Sequence, residues 1–198
     1  MITLYHHPKT RSSRFIFLLE ELGAPYRLQK VTLRRADGTG AKDAANPHPH
    51  GKVPAISDDG EAVFESPAIV LYLTDKFPKN GIGPVIGDKK RGAYLSLLAY
   101  YGDVLEPSIM SKFMKVTVPR GTAGWVEVEE AMEFIIKRLS DGPYILGENF
   151  SGADVLYATM FAMFGASPVM PKSPAVDAYV KRCLDRPAYA RAQAKDEG

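Results

Sequence analysis

A single cysteine, Cys183, stands in 198 residues. No disulfide can close within this chain, and the expectation is a reducing, cytoplasmic location. Net charge is nearly absent: 25 Lys and Arg face 23 Asp and Glu, leaving +2. The basic residues do not gather among aromatics. The two short clusters, Arg34-Arg35 and Lys89-Lys90-Arg91, read as solvated faces, so no nucleic-acid partner is expected. Long apolar runs are missing too; none approaches the roughly 20 residues that span a bilayer. The chain opens on a strand-like run without a basic-then-apolar leader, so no membrane partner is expected. The four histidines, His6, His7, His48 and His50, lack cysteine support and helical spacing. They read as polar loop residues, and no metal is expected. Repeats and low-complexity tracts do not occur.

What is present suffices for one large or two small globular domains, with 45% apolar residues. Ile2–Tyr5 reads as a strand. A polar connection containing Pro8 follows, and then a helix capped by Ser12 or Ser13 and running to about Leu22. Its apolar stripe is Phe15, Leu18, Leu19 and Leu22; Gly23 and Pro25 stop it. Residues 26–31 alternate as a second strand. A strand–helix–strand order with a short crossover predicts parallel, right-handed pairing. Residues 34–50 read as irregular.

The stretch Gly51–Leu73, GKVPAISDDGEAVFESPAIVLYL, is the most informative. Two short apolar runs flank Asp58-Asp59-Gly60, a hairpin signal. Ser66-Pro67 then opens a helix, with Ser66 expected as the cap and Pro67 as the first helical residue. A helix start with free N–H groups beside the carboxylate of Glu65 suits a zwitterion, such as the α-amino-acid end of a peptide.

Residues 78–87, with three Gly and two Pro, read as a linker. Beyond it only helical periodicity appears. A long helix covers 89–114, kinked or divided at Pro107. A second apolar stripe runs from Trp125 to Leu139, and Ser151–Asp154 forms a capping box before a helix apolar nearly all round. The segments 174–184 and 187–194 read as weaker helices. The domain expectation is 1–77, a linker at 78–87, and an all-helical 88–198. Cys183 reads as a small buried apolar residue.

With its opening ITLYHHPKTRSSRFIFLLEELG, Asn46-Pro47, Val53-Pro54 and Glu65-Ser66, the chain resembles the cytosolic glutathione transferases, especially a bacterial and fungal branch with a serine-rich start to the first helix. The resemblance implies an α/β thioredoxin-like N-terminal domain plus an all-α C-terminal domain. It also implies glutathione as co-substrate and a homodimer acting in detoxification. The implied reaction is attack of the glutathione thiolate on a small hydrophobic electrophile. A glutathione-dependent peroxidase or disulfide reductase, a maleyl-type isomerase and a non-enzymatic binding module remain alternatives. The resemblance further implies a cis bond at Val53-Pro54, with Val53 pairing with the cysteinyl backbone. Glu65 and Ser66 would hold the γ-glutamyl end, and Lys52 (less so His50) the glycyl carboxylate. The hydroxyl facing sulfur is Ser12 by preference, with Thr10 close behind and Tyr5 a poorer fit. Arg11 would add charge. Tyr100, Tyr101, Met110, Phe113 and Met114 mark the region expected to face the electrophile.

Overall fold

The computed structural model describes residues 1–196. Their contacts form two units, one comprising Met1–Asn80 and the segment beginning at Arg186, the other Gly81–Asp185.

In the first unit, β1 (Ile2–His6) pairs in parallel with β2 (Tyr26–Lys30) and antiparallel with β3 (Ala55–Asp58), which pairs antiparallel with β4 (Glu61–Phe64). The strand order is β2-β1-β3-β4. The β3–β4 turn is two residues long, with φ of 49° at Asp59 and 96° at Gly60. Positive φ at both positions belongs to the turn whose twist matches the flanking strands. Helix α1 (Ser13–Leu22) fills the crossover, and α2 (Ser66–Lys76) follows β4. Residues 31–54 form neither helix nor strand.

The sequence predicts one apolar stripe on α1, yet Phe15, Ile16, Phe17, Leu18, Leu19 and Leu22 are all buried. The outer cover is α8 (Pro187–Asp196). This helix was expected within the all-helical domain of residues 88–198; it packs against α1 instead. Its polar sequence hides the docking face. Ala188 and Ala192 let the helices approach, and Tyr189 meets Phe17 edge-on at 5.3 Å. Charge pairs complete the contact. Arg186 grips Glu21 with two bonds of 2.6 and 2.8 Å, and Arg191 and Lys195 both bind Glu20.

Burial of Glu20 acts to raise its pKa, but bonds from Lys195, Arg191 and Tyr26 outweigh this and hold the carboxyl at about 2. A carboxylate depressed from 4.5 contributes stability that is present above that value and lost as pH falls through about 2. The shift amounts to about 3 kcal/mol before screening. Arg191 and Lys195 are 52% and 51% exposed, which reduces it to about 1–2 kcal/mol. Glu20→Gln is expected to lose this amount in urea melts at pH 7, with the gap from wild type narrowing as pH drops below 4.5. A constant gap would refute the linkage.

The second unit is helical. In place of one long helix over 89–114 there are α3 (Arg91–Tyr100), a π-helical turn at Tyr101–Leu105, and α4 (Glu106–Phe113). The division falls one turn before Pro107, whose missing N–H cannot serve the Asp103 carbonyl; Glu106 N–H reaches back to Tyr101 O instead. Then come α5 (Val128–Ser140), α6 (Gly152–Phe164) and α7 (Pro174–Leu184). Helix α6 is buried nearly all round, as its sequence predicts. Tyr157 on α6 donates to Leu97 O at 2.8 Å and packs edge-on against Tyr101. Among the described residues no helix is long and apolar enough to cross a membrane.

Candidate functional site

Strand register decides where the chemistry gathers. Tyr5, near the C-terminal end of β1, faces Ala55, the first residue of β3; Ala55 in turn faces Phe64, the last residue of β4. Three segments therefore leave the sheet at one end. They are the β1–α1 loop with Thr10 and Ser12, the approach to β3 with Lys52, Val53 and Pro54, and the β4–α2 junction with Glu65 and Ser66. Both α1 and α2 begin there, so two helix N-termini lie at the same edge.

The β1–α1 loop folds around Ser12. The residue occupies the cap position of α1, but its φ of −72° and ψ of −22° are helical and its side chain makes no cap bond, so the expected hydroxyl cap does not form. The Oγ turns back into the loop. It accepts from His7 N–H at 3.1 Å and lies 2.9 Å from His6 Nδ1 and 2.8 Å from Thr10 Oγ1. Ser12 is fully buried; Thr10 is half-buried, in front of it. Ser13 Oγ, at the first turn of α1, is buried without a hydrogen-bond partner. Tyr5 pairs its hydroxyl with Ser57 Oγ at 3.3 Å across the sheet, away from this loop.

At α2 the helix begins one residue earlier than predicted. Glu65 takes the cap position, while Ser66 is the first helical residue and Pro67 the second. Ser66 is buried. Glu65 adopts φ 70° and ψ 127°, with its side chain 72% exposed. This is a left-handed backbone that costs a non-glycine residue about 1–3 kcal/mol. Glu65→Gly is expected to be more stable than Glu65→Ala by about 1 kcal/mol in urea melts, since only the former relieves the backbone. Equal stabilities would show that the strain is not felt.

The Val53–Pro54 bond is cis. Lys52 is exposed, and its carbonyl accepts from Asn46 Nδ2 at 2.9 Å. Asn46 Oδ1 accepts from His48 N–H at 3.0 Å, a side-chain turn that fixes the segment before the proline. Two histidines depart from the polar-loop reading. His48 is buried, with its ring 5.2 Å from that of Phe64. Its Nδ1 accepts from His50 N–H, which leaves the Nε2 proton aimed toward Glu65 Oε1, 3.8 Å away. Burial lowers the His48 pKa, with Glu65 opposing. His6 is fully buried at the end of β1, and its Nε2 lies 3.3 Å from Asp196 Oδ1 on α8. Burial lowers the His6 pKa as well, Asp196 opposing it and His7 and Lys30 adding to it. The fixed Asn46-Pro47 turn is the one sequence signal that could have drawn His48 into the site. No sequence signal marks the pairing of His6 with Asp196.

Of the residues expected near an electrophile, Tyr101 is core, Tyr100 packs its ring 4.8 Å from Phe134, and Phe113 and Met114 are 54% and 58% exposed. A cavity of about 570 Å3 lies just beyond α4, with Trp125 and Val116 among its apolar walls and Lys112, Lys115 and Arg120 among its cations. Cys183 is buried within α7. Among the described residues no group of acidic, histidine and cysteine side chains is placed to hold a metal ion.

As a chemical surface, the sheet end offers an exposed carboxylate, a serine hydroxyl at a helix start, backbone polar groups beside a cis proline and a hydroxyl pair at another helix start. Residues 11–76 match the family description "Glutathione S-transferase, N-terminal domain", and residues 118–182 match "Glutathione S-transferase, C-terminal domain". The chain is 30% identical over 209 residues to the disulfide-bond oxidoreductase YfcG of Escherichia coli K12, covering 98% of this chain and 95% of that protein. Among solved structures, a sphingomonad glutathione S-transferase complexed with glutathione superposes with a TM-score of 0.74 at 27% identity, over 98% of each chain. A Methylococcus capsulatus glutathione transferase superposes with a TM-score of 0.78 at 25% identity, over 100% of this chain and 99% of that one.

Proposed function

Because the chain belongs to the glutathione S-transferase family, we propose that it binds glutathione along the sheet end described above, ionises the thiol, and adds the thiolate to small hydrophobic electrophiles. The observation that carries this reading is the register, which collects the β1–α1 loop, the cis proline and the Glu65–Ser66 junction at one edge. The γ-glutamyl amine meets the Glu65 carboxylate; its carboxylate meets Ser66 Oγ and the free N–H groups opening α2. The cysteinyl backbone runs beside Val53-Pro54 as an added strand. Lys52, exposed near that path, takes the glycyl carboxylate.

The sulfur then falls near the start of α1. Thr10, being half-buried in front of the fully buried Ser12, supports an order in which Thr10 donates to sulfur and Ser12 orients Thr10 from behind. A free thiol has a pKa of about 8.5. Lowering it by about two units requires about 2.7 kcal/mol of preference for the thiolate, within reach of a hydroxyl donor at a helix N-terminus. The family reading also makes the protein a cytoplasmic homodimer, which sedimentation of the purified chain tests.

A second reading has specific support in the similarity to a disulfide-bond oxidoreductase. The chain's own thiol, Cys183, is buried within α7, so the reductant would be two glutathiones, giving two product thiols and oxidised glutathione. A glutathione peroxidase would use the same thiolate, producing an alcohol, water and oxidised glutathione from a hydroperoxide. The deciding experiment combines calorimetric titration with glutathione and turnover of an aryl halide, a hydroperoxide and a dialkyl disulfide. Fastest turnover of the halide supports conjugation, and fastest turnover of the disulfide supports the second reading. Failure to bind glutathione would end both.

A further inference from the structure

Behind the proposed thiol site stands a line of polar groups that runs to the described end of the chain. Thr10 Oγ1 lies 2.8 Å from Ser12 Oγ, which lies 2.9 Å from His6 Nδ1. On the far side of the ring, His6 Nε2 lies 3.3 Å from Asp196 Oδ1. That pair is close but off the line of a good hydrogen bond, and both atoms are buried without another partner. The other oxygen, Asp196 Oδ2, accepts from Lys9 N–H at 3.2 Å, so the carboxylate is held by the same loop it faces. His6 and Ser12 are fully buried.

The protons in this line have a direction. Ser12 Oγ already accepts from His7 N–H. A proton on His6 Nδ1 would leave the Nε2 lone pair pointing at a carboxylate. A proton on Nε2 faces that carboxylate and lets Nδ1 accept from Ser12, whose hydroxyl otherwise reaches His7 O at 3.2 Å. The Thr10 hydroxyl donates to His7 O at 2.7 Å, and it completes the line by turning to Ser12 Oγ. With the Thr10 hydroxyl so turned, every hydrogen points inward, and the empty position at the outer end is the Thr10 lone pair not taken by Ser12 N–H.

We propose that His6 is the proton store for the bound thiol, reached through Thr10 and Ser12 and balanced by Asp196. This rests on the reading that glutathione places its sulfur at Thr10. The step balances internally. The S–H bond breaks and its proton joins Thr10 Oγ1. The Thr10 proton passes to Ser12, and the Ser12 proton to His6 Nδ1. A thiolate and an imidazolium result, the latter facing Asp196. The new Thr10 O–H donates to the thiolate. Burial keeps the ring neutral beforehand; Asp196 favours its charged form, while His7 and Lys30 on neighbouring positions oppose it. The residues behind Thr10 act through it and touch no substrate; they are positioning residues.

The test uses nitrogen-15 spectra of the histidine ring in the full-length protein, alone, with glutathione, and with S-methylglutathione, which has no thiol proton. The expected result is a neutral Nε2–H ring in the free protein, an imidazolium with glutathione, and a neutral ring with S-methylglutathione. Asp196→Asn is expected to raise the pKa of the bound thiol, read by thiolate absorbance, by at least one unit, a ten-fold fall in its ionisation constant. Its affinity for S-methylglutathione should not change. A thiolate formed beside a neutral His6 overturns the relay and leaves the functional reading standing. No binding of either ligand overturns the functional reading, and the relay with it. Because the ring spectra come from the unmutated protein, a variant that folds poorly does not rescue the proposal.

Discussion

Asp154→Ala is expected to cost about 4 kcal/mol or more and to lower the melting temperature by about 10 °C. The Asp154 carboxylate is wholly buried at the first turn of α6 and accepts four bonds. Ile145 N–H reaches Oδ1 at 2.8 Å and the Tyr179 hydroxyl reaches the same oxygen at 2.9 Å. Ser151 N–H and Ser151 Oγ–H reach Oδ2 at 2.7 and 2.8 Å. Burial pushes this carboxyl's pKa up, and the bonds from Ile145, Ser151 and Tyr179 pull against it. Alanine strands four donors in the core, each unpaired group costing about 1–3 kcal/mol. The Ser151 hydroxyl can turn away, so the costs do not simply add. Asp154→Asn keeps an acceptor for one pair of donors and is expected to lose roughly half as much. Calorimetry on both variants measures the effect; a loss below 1 kcal/mol for alanine would falsify the view that this carboxylate ties α6 to the 145 loop and α7.

Thr10→Val is expected to return the bound thiol to its solution pKa and to lower conjugation at pH 7 by about 25-fold. With a pKa near 6.5 about three-quarters of the thiol is ionised at pH 7; near 8.5, about 3% is. Valine keeps the shape and removes the only group placed to donate to sulfur in the proposed arrangement. Thr10→Ser should restore most of the rate, because the hydroxyl is the active feature. Above pH 9 the variants should converge, since the thiol then ionises unaided. Thr10 also donates to His7 O at 2.7 Å, so the melting temperature must be followed alongside. A Thr10→Val enzyme with unaltered thiol pKa would transfer the role to another group, with the unpartnered Ser13 hydroxyl the next to test.

Several parts of this fold were legible because their signals are local. The hairpin turn, the start of α2 and the buried α6 each show within a dozen residues, through turn chemistry, a Ser-Pro pair, and a helix apolar on every face. The cap at α2 moved by one residue, because Pro67 fits the second helical position as well as the first. Ser12 was readable as a helix-start serine, but not the direction of its hydroxyl. Four polar neighbours compete for that oxygen, and their arrangement depends on where β1 ends.

The histidines mark the sharper limit. A histidine two residues from a proline looks the same in a sequence whether it lies in water or in a core. His6 is buried because α8 folds back over α1, and α8 reads as a weak polar helix.

Alone, the sequence determined the strand and helix types, the parallel crossover and the family to which the chain belongs, since these follow from periodicity, turn residues and short motifs. Only the tertiary structure decided which residues meet. It brought Lys9 to Asp196 across 187 positions, seated α8 on α1 through alanines and ion pairs, and hid Ser12 behind Thr10. Contacts between distant segments are set by packing and charge pairing in three dimensions, and no local pattern encodes them.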